Sequence, residues 1–247
     1  MIMPIRALRW CASLIAICAF LPGPERAHAG ALPSFTLLNT TFEGQSLGPI
    51  GTGGPGQPVS VSSVITATVV EQTFPALRGI NRALEIGHDA SSVAGFAVFE
   101  FPGDAEPGDG NVVVEAAIFQ PFGARFLLYV RENAGAAANW GSLTISEVGN
   151  LVWNDASTAS TSLGSYTDGE TLDLALNFDL DARTVEIIVD GVIVRPASPT
   201  YSGALGVGAV YLGVDRTTTG PTYVDNLRVT YFPPVDLFAD GFETPAP

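Results

Sequence analysis

The chain has 247 residues, with 11 basic side chains against 25 acidic ones and a formal net charge of −14. A surface of that sign repels phosphates, which argues against nucleic acid and anionic membranes as partners. Only 15% of the residues are charged and 47% are apolar, so the chain is no disordered polyanion and has the material for a core.

The N-terminus reads as an export signal. Arg6 and Arg9 precede an apolar run from Trp10 to Leu21, which Pro22-Gly23-Pro24 breaks, and Ala27-His28-Ala29 supplies a small-x-small cleavage site. The run is shorter than the roughly 20 residues that span a bilayer. Ile17 before Cys18 argues against lipoprotein processing, and no other segment reads as transmembrane. Cleavage after Ala29 removes both cysteines, Cys11 and Cys18, and leaves His88 as the only histidine. The mature chain then has no thiol, disulfide or usual zinc site. It keeps 8 arginines and 24 acidic residues, a charge of −16. The expected organisation is a signal peptide over 1–29, one β-sandwich domain over 30–232, and a linker with an acidic tail over 233–247, in a secreted protein.

Strand-like runs follow in order, with no convincing helix. Ser34 to Phe42 comes first, then a Gly/Pro loop from Gly44 to Pro58. Strands are expected at 59–70, 82–86, 93–101, 111–120, 124–131, 142–148 and 151–154. The loop 102–110, with Asp104, Glu106 and Asp109, reads as a hairpin end. The clearest signal is 171–195. Leu172, Leu174, Leu176, Phe178 and Leu180 alternate with Asp173, Ala175, Asn177 and Asp179. A second strand, 184–189, meets Asp190-Gly191, a two-residue hairpin turn, and 192–194 returns. That turn sets Val189 opposite Val192, Ile188 opposite Ile193, Ile187 opposite Val194, and Glu186 opposite Arg195 in a part-exposed ion pair. Strands at 209–214 and 223–232 complete about a dozen, more than an immunoglobulin-type module uses.

Several constellations bear on chemistry. Gly44-x-Ser46-x-Gly48 matches a nucleophile elbow, but a Gly/Pro loop follows where a helix is needed, and a turn is the better reading. Asp179-x-Asp181 fails as an EF-hand loop because Arg183 stands at the third ligand position. Asp215, Asp225 and Asn226 flank one loop and are the expected calcium ligands if the protein takes that ion, with Asp89 a weaker candidate. Glu100, Glu115, Glu132 and Glu147 lie on or near strands, where a pair sharing a groove could act as acid and base. Trp140 and Trp153 are the candidates for stacking on a sugar. A turn at Gly149-Asn150 puts Trp153 on one face with Val148 and Leu151, opposite Leu143 and Ile145.

Three stretches together resemble the concanavalin A-like lectin and glucanase superfamily, in its laminin-G-like branch. They are TTFEG at 40–44 before the Gly/Pro loop, LNFDLDARTVEIIVDGVIV at 176–194, and YVDNLRVTY at 223–231 after AVYLGVD at 209–215. The resemblance implies an all-β, two-sheet antiparallel jelly-roll sandwich with ligands in a concave sheet or at one rim. It implies no transferable catalytic or sugar-binding motif. Asp168-x-Glu170-x-x-Asp173 is similar in spacing to the E-x-D-x-x-E set of laminarinase-type glycosidases on that fold, but its outer positions are aspartates. The segment 236–243 resembles a short acidic Phe-Asp-Gly-Phe-Glu ending of secreted bacterial proteins. The expected function is a secreted, non-enzymatic binding or surface module for a carbohydrate or other extracellular ligand, such as a cell-surface component. The alternatives are a glycan-cleaving hydrolase or lyase using two carboxylates, and a structural component of a matrix or surface layer.

Overall fold

The structure, a computed structural model, describes residues 34–75, 80–88, 93–101, 108–121, 123–135, 138–155, 160–200, 203–215 and 220–234. The signal peptide, Asp89, Asp104, Glu106 and the tail from 235 lie outside the described residues. Two antiparallel sheets pack face to face, and no helix occurs among the described residues. The strands are β1 (Phe35–Thr40), β2 (Gly48–Pro49), β3 (Ser60–Val61), β4 (Ile65–Gln72), β5 (Asn81–His88), β6 (Gly95–Glu100), β7 (Asn111–Phe119) and β8 (Phe126–Arg131). They continue with β9 (Asn139–Ile145), β10 (Asn150–Asp155), β11 (Ser160–Ser165), β12 (Thr171–Asp179), β13 (Thr184–Val189), β14 (Val192–Pro199), β15 (Ala209–Val214) and β16 (Thr222–Phe232). The larger sheet has nine strands in the order β14-β13-β12-β7-β16-β5-β4-β2, with β1 also on β16. The smaller has seven, β11-β10-β9-β8-β15-β6-β3. The result is the antiparallel β-sandwich that the alternating pattern predicts, in the two-sheet jelly-roll form that the resemblance implies.

Period-two burial builds the core. Leu172, Leu174, Leu176 and Phe178 of β12 point inward with Val112, Val114, Ala116 and Ile118 of β7. They meet Phe126, Leu128 and Val130 of β8 and Val210, Leu212 and Val214 of β15 from the other sheet. Each large aliphatic or aromatic side chain so buried contributes about 1.5–3 kcal/mol. The outward positions on β12, Asp173, Ala175, Asn177 and Asp179, are exposed or half-buried, the mark of a half-buried sheet.

Both tryptophans belong to this core, which corrects their assignment to sugar stacking. Trp140 and Trp153 are fully buried. They pack on Phe178 with ring centroids at 5.8 and 6.4 Å, and the Trp140 indole N–H donates to the Gly206 carbonyl at 2.8 Å. Trp153 lies opposite Leu143 and Leu151 opposite Ile145 as expected, but that face is the interior, and the turn falls at Glu147-Val148, which leaves Val148 79% exposed rather than beside Trp153. Trp140 is drawn in because 139–141 opens β9 rather than forming a loop. Gly141 has φ +147°, and a Cβ there would stand 2.3 Å from the Trp153 ring.

The central hairpin turns at Asp190 (φ 51°) and Gly191 (φ 74°), and Val189–Val192 and Ile188–Ile193 pair as expected. Then a bulge intervenes. Ile187 pairs with Arg195 instead of Val194, and Val185 with Ser198. The extra residue turns Arg195 away from Glu186, so the expected ion pair does not form. Arg195 is buried instead. Its guanidinium donates to the carbonyls of Val185 (2.6 Å), Pro199 (3.4 Å) and Ser198 (3.5 Å). Burial pulls its pKa down, and the charge of Asp155 pulls it back up.

Candidate functional site

The last strand, β16, is the hub of the nine-stranded sheet. One edge pairs with β7 along nearly its whole length. The other edge is shared: Thr222 to Val224 pair with β5, and Leu227 to Tyr231 pair with β1. Asp225 and Asn226 fall at the change of partner. Asn226 takes φ 52°, and the β7 pairing slips between Asp225 and Arg228. Asparagine tolerates that left-handed backbone better than most residues. Glu43 and Arg82 stitch the gap. The Glu43 carboxylate accepts the Arg82 N–H at 2.8 Å, and the Arg82 guanidinium donates to the carbonyls of Glu43 (3.1 Å) and Gln45 (2.6 Å).

Asp225 sits at this junction, 3% exposed, with its carboxylate accepting the Asn226 N–H at 2.7 Å. Burial pushes its pKa up to about 6, the Asn226 hydrogen bond opposes the rise, and the Glu43 charge adds to it.

Beside the junction the outer face of the sheet carries a polar cleft of about 380 Å³. Two registered rows build it. Asn39, Arg228, Glu115 and Ala175 lie side by side on β1, β16, β7 and β12. Asp225, Ala117 and Asp173 form the next row on β16, β7 and β12. The lining side chains with polar ends are Asn39, Glu115, Asp173, Asn226 and Arg228. Among the described residues none of these five side chains closes a hydrogen bond or ion pair with another part of the chain. Amide and guanidinium donors therefore face carboxylate acceptors across a space with their capacity unspent. Asp173 has its pKa raised, first by burial and then by the neighbouring charge of Asp190, whose carboxylate accepts the Asp173 N–H at 2.9 Å.

Of the expected calcium ligands, Asp225 and Asn226 stand at the junction. Asp215 is not with them: it follows β15 in the other sheet and is neutralised by Arg125 at 3.1 Å. No group of three or more acidic, histidine or cysteine side chains suited to a metal occurs among the described residues. Asp179 and Asp181 are used in turns, accepting the N–H groups of Ala182 (2.7 Å) and Gly110 (3.0 Å). Within the Asp168–Asp173 set only Asp173 reaches the cleft, because Asp168 accepts the Gly123 N–H in the turn before β12. Ser46 lies in a turn that leads into β2, with no helix behind it. Glu115 is the strand glutamate that lines the cleft, whereas the Glu100 carboxylate accepts the Ala134 N–H on the opposite sheet.

Asn39 and Arg228 were not among the residues expected from sequence. Their alternation with core neighbours was the available signal, since Arg228 stands between buried Leu227 and Val229. The outer face of the seven-stranded sheet differs in kind. Phe96, Tyr129 and Tyr211 cluster edge to face at 5.4 and 6.0 Å, and the Arg131 guanidinium lies 4.4 Å from the Tyr211 ring centroid. These groups satisfy one another, and Tyr211, 6% exposed, also donates to the Ala134 carbonyl.

No protein-family model matches the chain, and a search of curated proteins finds no match. Solved structures do match its fold. A sialidase aligns with TM-score 0.51 and 11% identity over 68% of this chain. The catalytic domain of a glycoside hydrolase family 131 protein from Coprinopsis cinerea aligns with TM-score 0.50 and 15% identity over 78% of this chain and 93% of its own. The chain spans only 16% of the sialidase. At such identities the likeness establishes a β-sandwich jelly roll and leaves chemistry to the site.

Proposed function

We propose that the protein is a secreted, non-enzymatic glycan-binding module of the concanavalin A-like, laminin-G-like kind, released by cleavage after Ala29, with the cleft around Arg228 as its sugar site. One observation carries the reading. Five polar side chains converge on one cleft and leave their donors and acceptors unspent. A sugar hydroxyl both donates and accepts, so a mixed set of Asn39, Asn226, Arg228, Glu115 and Asp173 suits vicinal hydroxyls. It suits a phosphate or an apolar ligand poorly. The likeness to glycan-active folds supports the same chemistry by analogy.

The test is a glycan array followed by calorimetry on the mature chain, with and without calcium. Binding of neutral glycans that falls about tenfold or more in Arg228→Ala is the expected result, since a charge-assisted hydrogen bond contributes roughly 1.5–3 kcal/mol. Binding that survives Arg228→Ala but fails in Tyr129→Ala would move the site to the seven-stranded face. Loss of binding on chelation would bring calcium into the site.

A second reading, glycan cleavage, draws on Glu115 and Asp173. They are diagonal neighbours on β7 and β12, on one face, and the carboxyl of Asp173 is held up in pKa. Two carboxyl groups flanking the scissile bond, one an acid and the other a nucleophile or base, are the pairing glycosidases use. Release of reducing ends, abolished by Glu115→Gln, would favour this reading over binding alone.

A further inference from the structure

We infer that the ligand is an amphiphilic glycoside, whose sugar sits in the polar cleft and whose apolar aglycone, an alkyl or aryl group, lies in a second groove across β1. The inference rests on the glycan reading above and names what the sugar is attached to. The groove has a volume of about 550 Å³ and runs between β1 and the Gly/Pro loop, with Leu37, Leu38, Pro55, Val59 and Phe101 in its lining. Cavities of that size commonly hold small organic ligands. Asn39 lines both the groove and the cleft and is itself exposed, so the two spaces adjoin at a residue open to solvent. Arg228 stands beside Asn39 on β16. Crossing from Arg228 over β1 takes two strand spacings, about 10 Å, which the first carbons of an aglycone can span from a sugar held in the cleft.

The groove is apolar in effect where the cleft is polar. Among the described residues β1 pairs with β16 alone, so its other edge carries no strand. A bulge between Thr36 and Leu38 inserts Leu37, and both leucines stay half-buried at the groove. Bulges at sheet edges re-aim side chains in this way. The facing wall is preformed. Gly56, at φ 67°, brings the loop against the end of β1, where a Cβ would meet the Thr40 hydroxyl at 3.2 Å. The Gln57 amide donates to the Gln45 side-chain oxygen at 2.9 Å and accepts the Gly54 N–H at 3.1 Å, and the Gln45 amide donates to the Pro55 carbonyl at 3.1 Å. The Glu100 carboxylate, also in the lining, accepts the Ala134 N–H. Gln57 and Glu100 are thus already engaged, while Val59 stands exposed. Such a lining gains from apolar contact and offers hydroxyls little, so it suits the part of a glycoside that carries none. A wall held by its own hydrogen bonds also loses little freedom when a ligand fills the space.

The experiment is calorimetry of the mature chain with methyl, butyl, octyl and phenyl glycosides of glucose, galactose, mannose and N-acetylglucosamine. For the sugar that binds, the octyl glycoside should bind at least about tenfold more tightly than the methyl glycoside, the effect of roughly two buried methylenes. Val59→Ser and Leu37→Ala should each reduce that gain and leave methyl glycoside affinity as it was. Ile193→Ser, an exposed isoleucine on the far edge strand β14, should leave the gain intact. Arg228→Ala should weaken methyl and octyl glycosides by the same factor. Sedimentation with phosphatidylcholine vesicles that carry the same sugar on a lipid separates two sources of such a ligand: pelleting marks a membrane glycolipid, and octyl glycoside binding without pelleting marks a soluble glycoside. Equal affinity for methyl and octyl glycosides would overturn the inference and leave the sugar site standing. A gain that survives both Val59→Ser and Leu37→Ala would overturn it too, and would leave the groove to another occupant, such as an extended peptide on the free edge of β1. So would octyl binding that persists in Arg228→Ala after methyl binding is lost, since the chain would then adhere without the sugar. Absence of binding by every glycoside would overturn both readings.

Discussion

Glu115 and Arg228 stand directly opposite each other on β7 and β16, and no ion pair closes between them. Opposite charges facing each other in adjacent strands ordinarily draw together. Held apart around a cleft, they contribute little to the fold and remain available to a ligand. Glu115→Gln and Arg228→Ala should therefore each change the unfolding free energy by less than about 0.5 kcal/mol, while both weaken glycan binding. Urea denaturation beside calorimetry checks the two halves of this expectation.

Asp225 should work against stability once it ionises. Its folded pKa of about 6 lies above the ordinary 3.8, so the charged form is the disfavoured one. The penalty is complete above about pH 6, shrinks as pH falls through that value, and is gone below 3.8. Asp225→Asn keeps an oxygen acceptor for the Asn226 N–H and removes the charge. It should stabilise the protein by on the order of 1–2 kcal/mol near pH 8 and by nothing near pH 3.5. Denaturation curves of both proteins across that range would show the difference closing as pH falls, and a constant difference would refute the assignment.

Arg195 should be a structural residue and Glu186 a neutral one. Arg195→Met removes the donor to the Val185 carbonyl and should cost about 1–3 kcal/mol. Glu186→Gln should change stability by less than about 0.5 kcal/mol, and a double-mutant cycle between the two should show no coupling. Measurable coupling would mean that the hairpin keeps the register a simple two-residue turn predicts.

Gly141 should tolerate no side chain. Its φ of +147° and the 2.3 Å approach of a Cβ to the Trp153 ring act together. Gly141→Ala should destabilise by roughly 2–4 kcal/mol, read as a lower thermal midpoint with quenched or shifted tryptophan emission.

The parts of the fold legible in the sequence were those that alternation and turn chemistry encode locally. Leu172 to Leu180 announced a half-buried strand, and Asp190-Gly191 a tight hairpin. The bulge before Arg195 was not legible, because an inserted residue between two apolar strands leaves the alternation on either side intact. Strand β11 carries Leu163 as its one large apolar residue among serines, threonine and glycine, so nothing in it rose above loop composition. Trp153 was placed on the correct face of β10, but which face was the interior depends on a sheet whose strands come from distant parts of the chain. The cleft was hidden for the same reason. Asn39 and Arg228 are neighbours only because β1 pairs with β16, and no local pattern encodes a contact between the two ends of a domain.

That pairing also has a consequence for the order of assembly. Both β1 and β5 need β16 as their neighbour, yet nearly the whole domain must be synthesised before residue 222 is available. Until then two early segments present unpaired edges, and closing the sheet joins residues about as far apart in sequence as this domain permits. Chains dominated by such distant contacts fold slowly and are vulnerable to aggregation while they wait. Truncation just before β16 should thus leave a polypeptide that precipitates rather than a smaller, still-folded sandwich.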